Sequence, residues 1–197
     1  DIGVQLQGDL LKANDGHHYL HYQVGVFNGQ GTNMKDVDQR KDVIGGIWVA
    51  PIKGLRIGAF GWTGSYARKG TWTEVDANGN AVAKNGVRSL EKNGVRSLEK
   101  NRYAFSAEYA AHDWTVRSEY IHSQGYGFKT SNASGKETDC TINYAAGDKA
   151  DGFYALMIAP VISKKLYAKA RYDLYRPQAD WHTSKTCLLY TSPSHET

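Results

Sequence analysis

RYAFSAEYAAHDWTVRSEY, residues 102–120, is the stretch whose reading decides the fold. Tyr103, Phe105, Ala107 and Tyr109 alternate with Ala104, Ser106 and Glu108. After Ala111-His112-Asp113, the residues Trp114, Val116 and Tyr120 alternate with Thr115, Arg117 and Glu119. Two runs of period two around a short polar break predict a hairpin of antiparallel strands, each with one apolar and one polar face.

The same period recurs on both sides of this hairpin. Upstream, Ile2, Val4 and Leu6 alternate with polar or small residues, as do Leu20, Tyr22, Val24 and Val26. Val43, Ile47 and Val49 mark another strand, and Leu55, Ile57 and Ala59 one more. Downstream, Leu166, Ala168, Ala170, Tyr172 and Leu174 alternate with Lys169, Arg171 and Asp173. Tyr154, Leu156 and Ile158 read as the apolar side of the strand before it, less cleanly because Phe153 and Met157 intervene. About eight strands result. Their apolar stripes predict Tyr22, Val24, Tyr109, Val116, Leu156, Ala170 and Tyr172 on one surface, with Arg117, Glu119, Lys169 and Arg171 on the other.

The connections alternate in length. Short turns are expected around Asn14-Asp15-Gly16, at 51–54, at 111–113 and at 160–164, with Pro51 and Pro160 just past their strands. Longer loops are expected at 29–41, 65–101 and 123–150. Short turns at one end and long loops at the other are the plan of an outer-membrane barrel. A Greek-key sandwich mixes its connection lengths.

Composition agrees. Of 197 residues, 21 are Gly and 13 are Tyr, which suits strands and turns. Mean hydropathy is −0.56, and no apolar run is long enough for a transmembrane helix. A barrel strand needs only about 9–11 residues and meets lipid at every second one, so low hydropathy is compatible with a membrane. The net charge of +4 is spread along the chain with no recognition helix or RNA-binding motif, so no nucleic-acid partner is expected.

The run YQVGVFNGQG (22–31), the segment KDVIGGIWVAPIKGLRIGAFG (41–61) and the hairpin of 102–120 resemble the phosphate-selective porin O and P family, in its Bacteroidetes branch. The resemblance covers roughly residues 1–185. It implies an antiparallel up-and-down transmembrane β-barrel of about sixteen strands in the bacterial outer membrane. It also implies a homotrimer in lipid that passes small polar or anionic solutes, phosphate by the family name. About eight strands are visible and the aromatic-terminated last strand of such barrels is missing, so the chain is expected to be an interior fragment.

The polar stripe supplies the pore-lining candidates Arg56, Glu108, Arg117, Glu119, Lys169, Arg171 and Asp173. Four basic against three acidic residues argue against strong anion selectivity, because anion filters use rings of Arg and Lys. The family's selectivity residues find no one-to-one match here. Two rivals remain: a small structural or adhesive outer-membrane barrel filled by side chains, and a soluble lipocalin-like binder.

Two segments stand apart. KNGVRSLE at 84–91 repeats unchanged at 92–99 and reads as an in-frame duplication within the long loop 65–101. Residues 186–197, TCLLYTSPSHET, break the alternation and read as a non-native tail outside the barrel portion 1–185. The chain is not expected to be an enzyme and needs no cofactor or metal. His17, His18 and His21 lack the Cys or paired carboxylates of a metal site. Asp36-Val37-Asp38 lacks the Gly and terminal Glu of a calcium loop. No helix follows Gly29-Gln30-Gly31, so it is no phosphate cradle. Ser118, Glu119 and His122 form no nucleophile elbow, and Cys140 and Cys187 build no disulfide framework.

Overall fold

The computed structural model describes residues 2–29, 37–74, 78, 80, 91–129, 138–162, 165–177 and 186–194, the last group by backbone alone. The first repeat copy up to residue 90, Gln30, Gly31 and Asp36 lie outside the described residues.

The fold is all-β. Strands β1 (Gly3–Lys12), β2 (His18–Asn28), β3 (Lys41–Val49), β4 (Leu55–Thr73), β5 (Glu91–Ala111) and β6 (Trp114–Gln124) follow one another as a meander. The short strands β7 (Gly127–Phe128), β8 (Thr138–Asp139) and β9 (Ile142–Asn143) precede β10 (Lys149–Ile162), β11 (Leu166–Arg176) and β12 (Thr186–Ser194). The main sheet runs β1-β2-β3-β4-β5-β6-β10-β11-β12, antiparallel throughout. The eight expected strands are all present, and the sheet is open, with β1 and β12 at its edges.

Strand direction gathers the short turns at one end, after β1, β3, β5 and β10, and the long connections at the other. At the turn between β5 and β6, His112 and Asp113 have φ of 51° and 66°. That is a two-residue turn of the primed type, whose twist matches the flanking strands.

Four expectations are corrected. Residues 65–101 are not one loop. Strands β4 and β5 run ten pairs beyond Thr63↔Asn101, from Gly64↔Lys100 to Thr73↔Glu91. The second repeat copy therefore lies in a strand. At about 3.4 Å per residue, this ribbon reaches about 34 Å past the sheet. The interval 123–150 is likewise not bare loop, since it holds β7, β8, β9 and a 3-10 turn at Tyr144–Ala146. Pro160 lies inside β10, opposite Tyr167, where the ladder shifts register. It is tolerated there because β10 has already left β6, whose last partner is Ile158. Finally, Thr186–Ser194 of the tail forms β12, paired with β11 from Tyr175↔Thr186 to Tyr167↔Ser194.

The buried apolar residues sit mostly outside the sheet proper. Leu98, Phe128, Cys140 and Ile142 form the core cluster, backed by Tyr66, Trp72, Tyr126 and Tyr144. A two-stranded ribbon is marginal alone, and here the segment following β6 folds against it. β8 pairs parallel with β4 at Gly70↔Thr138 and Thr71↔Asp139, the one parallel pairing among the described strands. The Cys140 amide donates to the Thr71 carbonyl at 2.7 Å, and Arg96 Nη1 to the Cys140 carbonyl at 3.1 Å. Burial pushes the Cys140 thiol above its ordinary pKa. On the ribbon's other side, Asp38 accepts from Ser65 Oγ at 3.2 Å and Ser97 Oγ at 2.7 Å. Arg40 pairs with Glu99 at 2.7 Å.

Candidate functional site

Directly paired residues share a face of a sheet, so the register assigns every strand position. One face carries Val4, Leu6, Leu20, Tyr22, Val24, Val43, Ile47, Ile57, Phe105, Tyr109, Val116, Met157, Ala170 and Tyr172. The other carries Arg56, Glu108, Arg117, Glu119, Lys169, Arg171 and Asp173. All seven polar candidates thus share one face, as the period of two predicted.

The expected apolar side of β10 is corrected: Tyr154, Leu156 and Ile158 stand on the polar face, opposite Asp173, Arg171 and Lys169, while Phe153, Ala155 and Met157 supply the apolar side. Both parities of β10 are apolar, so its own sequence does not say which side faces which phase. The ladder with β6 and β11 decides it.

Among the described residues, none covers the apolar face. Val4, Leu6, Val26, Ile47, Ile57, Phe105, Val116 and Met157 are all exposed, Val4 at 80% and Phe105 at 55%. A contiguous apolar surface of this extent is foreign to a water-facing sheet. On a strand it spans about 20 Å, from Val4 to Leu10 or from Tyr103 to Tyr109, at about 3.4 Å per residue.

The band also drifts. Leu174, its upper limit on β11, is level through the ladder with Gly8, yet on β1 the band continues to Val4. Its lower limit behaves alike: Leu10 on β1 is level with Tyr172, while on β11 the band continues to Ala168. Four residues, about 14 Å, over seven strand spacings of about 4.8 Å make an inclination of about 20°. Aromatics border the band on β5 and β6, with Tyr103, Phe105 and Tyr120 above Ala107 and Ser118, and Tyr109 and Trp114 below.

Charge on the polar face is ordered in rows. Arg56, Glu108, Arg117, Leu156 and Arg171 form one line of direct neighbours across five strands. The next line runs Asp9, His21, Trp48, Gly58, Ser106, Glu119, Tyr154 and Asp173. A mainly basic row therefore abuts a mainly acidic one. Arg117 Nε donates to Glu108 Oε2 at 2.5 Å. Arg171 grips Asp173 through Nε at 2.8 Å and Nη2 at 2.7 Å, and lies 4.6 Å over the Tyr154 ring. Neighbouring opposite charges cancel at distance, which leaves a weak net field along this face.

Several polar-face groups are absent from the sequence-derived candidates. Trp48 lies flat over glycines: a Cβ at Gly58 would come within 2.2 Å of its ring, and one at Gly46 within 2.8 Å. Arg56 stacks on it at 5.0 Å. Higher up, Arg102 stacks on Trp62 at 4.7 Å, beside Lys100 and Asp42. The signal was present, since Trp48 falls between Ile47 and Val49. An aromatic on a polar stripe becomes informative only when the glycines beneath it are known.

The residues considered for other chemistry have local partners. His17 Nδ1 pairs with Asp15, and its Nε2 lies 3.2 Å from the Ala50 carbonyl oxygen. The His17 hydrogen bond holds the Asp15 carboxyl below its ordinary value. His21 Nδ1 lies 2.8 Å from Asp9. His122 lies at the upper margin of the apolar face, where Asp151 meets His122 at 2.5 Å, the Tyr120 hydroxyl at 3.0 Å, and Arg176.

In comparisons with known proteins, no family model, no curated protein and no solved structure matches the chain.

Proposed function

We propose that this sheet is wall of a transmembrane β-barrel in the bacterial outer membrane, and that the protein is a porin, a passive channel for small polar and anionic solutes. The observation that carries the reading is the uncovered apolar face. On burial in lipid, exposed side chains such as Val4, Leu6, Ile47 and Phe105 gain about 25 cal/mol for each Å² removed from water. In water they gain nothing.

Further features support the same orientation. The apolar band is close to the roughly 25 Å expected of a lipid-facing belt, with aromatics at both margins. Its drift across the strands has the character of strand tilt, at about 20° less than the 35–45° of closed barrels. Short turns at one end and long connections at the other fit periplasmic and extracellular sides. The polar face, with Arg117, Glu119, Lys169 and Arg171, then lines water. The segment carrying Phe128, Cys140 and Ile142 packs on that same side of the β4–β5 ribbon, against Tyr66 and Leu98, where it narrows the entrance. Resemblance of residues 22–31, 41–61 and 102–120 to the phosphate-selective porin family agrees, and adds a homotrimer. In hydrocarbon the open backbone edges of β1 and β12 require partner strands, so the barrel closes through further pairing.

Reconstitution of the full chain in planar bilayers tests this. Discrete conductance steps with weak anion preference are expected. A folded, membrane-inserted protein without conductance would point to a filled structural barrel. A protein that stays monomeric and soluble without detergent would refute the membrane assignment.

A further inference from the structure

Where the β4–β5 ribbon leaves the sheet, the polar face holds a recess of about 580 Å³ lined by Phe27, Asp42, Ile44, Phe60, Trp62 and Tyr66 on one side and by Lys100 and Arg102 on the other. Its construction follows from the register. Trp62 is opposite Arg102, and Phe60 is opposite Ala104, whose small side chain leaves space beside the ring. Lys100 is opposite Gly64, and the Asp42 carboxylate lies over that glycine in the space a side chain there would take. Lys100 and Arg102 are two apart on β5 and so project to the same face.

The charge inside is asymmetric in its availability. Asp42 is 5% exposed, and its two carboxylate oxygens accept from Trp62 Nε1 and the Ser65 amide, both at 3.1 Å. That carboxylate holds the wall and, as part of the same lining, offsets part of the charge of Lys100 and Arg102. The Arg102 guanidinium lies over the Trp62 ring, and such a cation can still donate hydrogen bonds from its edge. Lys100 is half-buried at the same rim. Two cations thus border a wall that includes Phe27, Phe60 and Tyr66, and the volume falls within the range of small-molecule sites.

We propose that this recess is a binding subsite for small organic anions with a flat apolar body, aromatic carboxylates above all. The carboxylate would take hydrogen bonds from Arg102 and Lys100, while the ring displaces water from Phe27, Phe60 and Tyr66. An inorganic anion would use the cations alone and leave the aromatic wall wet. The recess is built by β2, β3, β4 and β5, so this assignment does not require the sheet to be a channel.

Titration calorimetry on the full chain in detergent, with benzoate, acetate and inorganic phosphate as probes, tests the subsite. Benzoate should bind at least tenfold more tightly than acetate or phosphate. Arg102→Gln should weaken benzoate at least fivefold, and Phe60→Ala should narrow the gap between benzoate and acetate. Arg102 is exposed, so its variant should keep the wild-type circular dichroism. Equal affinity for acetate and benzoate, phosphate binding as tight as benzoate, or benzoate binding untouched by Arg102→Gln would each overturn the proposal. Conductance is a separate readout: a channel that ignores benzoate removes the subsite, while benzoate binding without conductance removes the porin reading and leaves the subsite standing.

Discussion

If lipid meets the apolar face, a charge placed there costs far more than the same charge one residue away. Ala107 and Ser106 make the pair. Ala107 lies on central strand β5 between Ile57 and Ser118, in the apolar band bounded by Tyr103 and Tyr109. Ser106 lies between Gly58 and Glu119 on the polar face. An Arg near the middle of a barrel's lipid face costs about 2–4 kcal/mol. Ala107 is only two residues from Tyr109, about 7 Å at 3.4 Å per residue, so the guanidinium can reach toward the interface and the lower part of that range is expected. At about 1.4 kcal/mol per decade, 2–4 kcal/mol is a loss of about 30- to 700-fold in the folding equilibrium. Ser106→Arg meets water and gains Glu119 as a neighbour, so its change should stay within about 0.5 kcal/mol. Reversible denaturant unfolding in phospholipid vesicles measures both. Equal effects of the two variants, or a neutral Ala107→Arg, would refute the two-phase assignment of the faces.

Other expectations follow from single features. Arg117→Glu combined with Arg171→Glu breaks the basic row, so, if the polar face lines a pore, reversal potentials in a salt gradient should move toward cation preference while the sheet stays folded. The turn at His112 and Asp113 holds two non-glycine residues at positive φ. His112→Asn with Asp113→Gly should stabilise the protein by about 1 kcal/mol in equilibrium unfolding, because that pair adopts the primed turn with less strain. Cys140 is fully buried and its thiol is pushed up, so in a Cys187→Ser background it should resist a disulfide reagent at pH 8 until denaturant is added. Asp15 carries a lowered folded value because of His17, so its contribution to stability is complete above the ordinary carboxylate range and fades as pH falls through the lowered value. Carboxyl carbon shifts followed by NMR should place its midpoint below that of Asp15 in a His17→Ala variant.

The alternation of Tyr103, Phe105, Ala107 and Tyr109 against Ser106 and Glu108 by itself determined a strand, its two faces and the turn at 111–113. It did so because the period of two is a property of each strand alone. The placement of Arg56, Glu108, Arg117, Glu119, Lys169, Arg171 and Asp173 on one face follows from the same local rule. β10 resisted the rule because Phe153 and Met157 rival Tyr154, Leu156 and Ile158, so only pairing with Val116 and Ala170 could choose between the two parities. The long ribbon and the strand at Thr186–Ser194 escaped notice for a related reason. Their hydrogen bonds are satisfied by distant partners, and nothing in the local pattern of 65–73 or 92–99 announces them. Offset between strands is likewise a tertiary quantity. Only the register brought the basic and acidic rows side by side, laid Trp48 over Gly58, and set Asp42 over Gly64 beside Trp62, Lys100 and Arg102 in one recess.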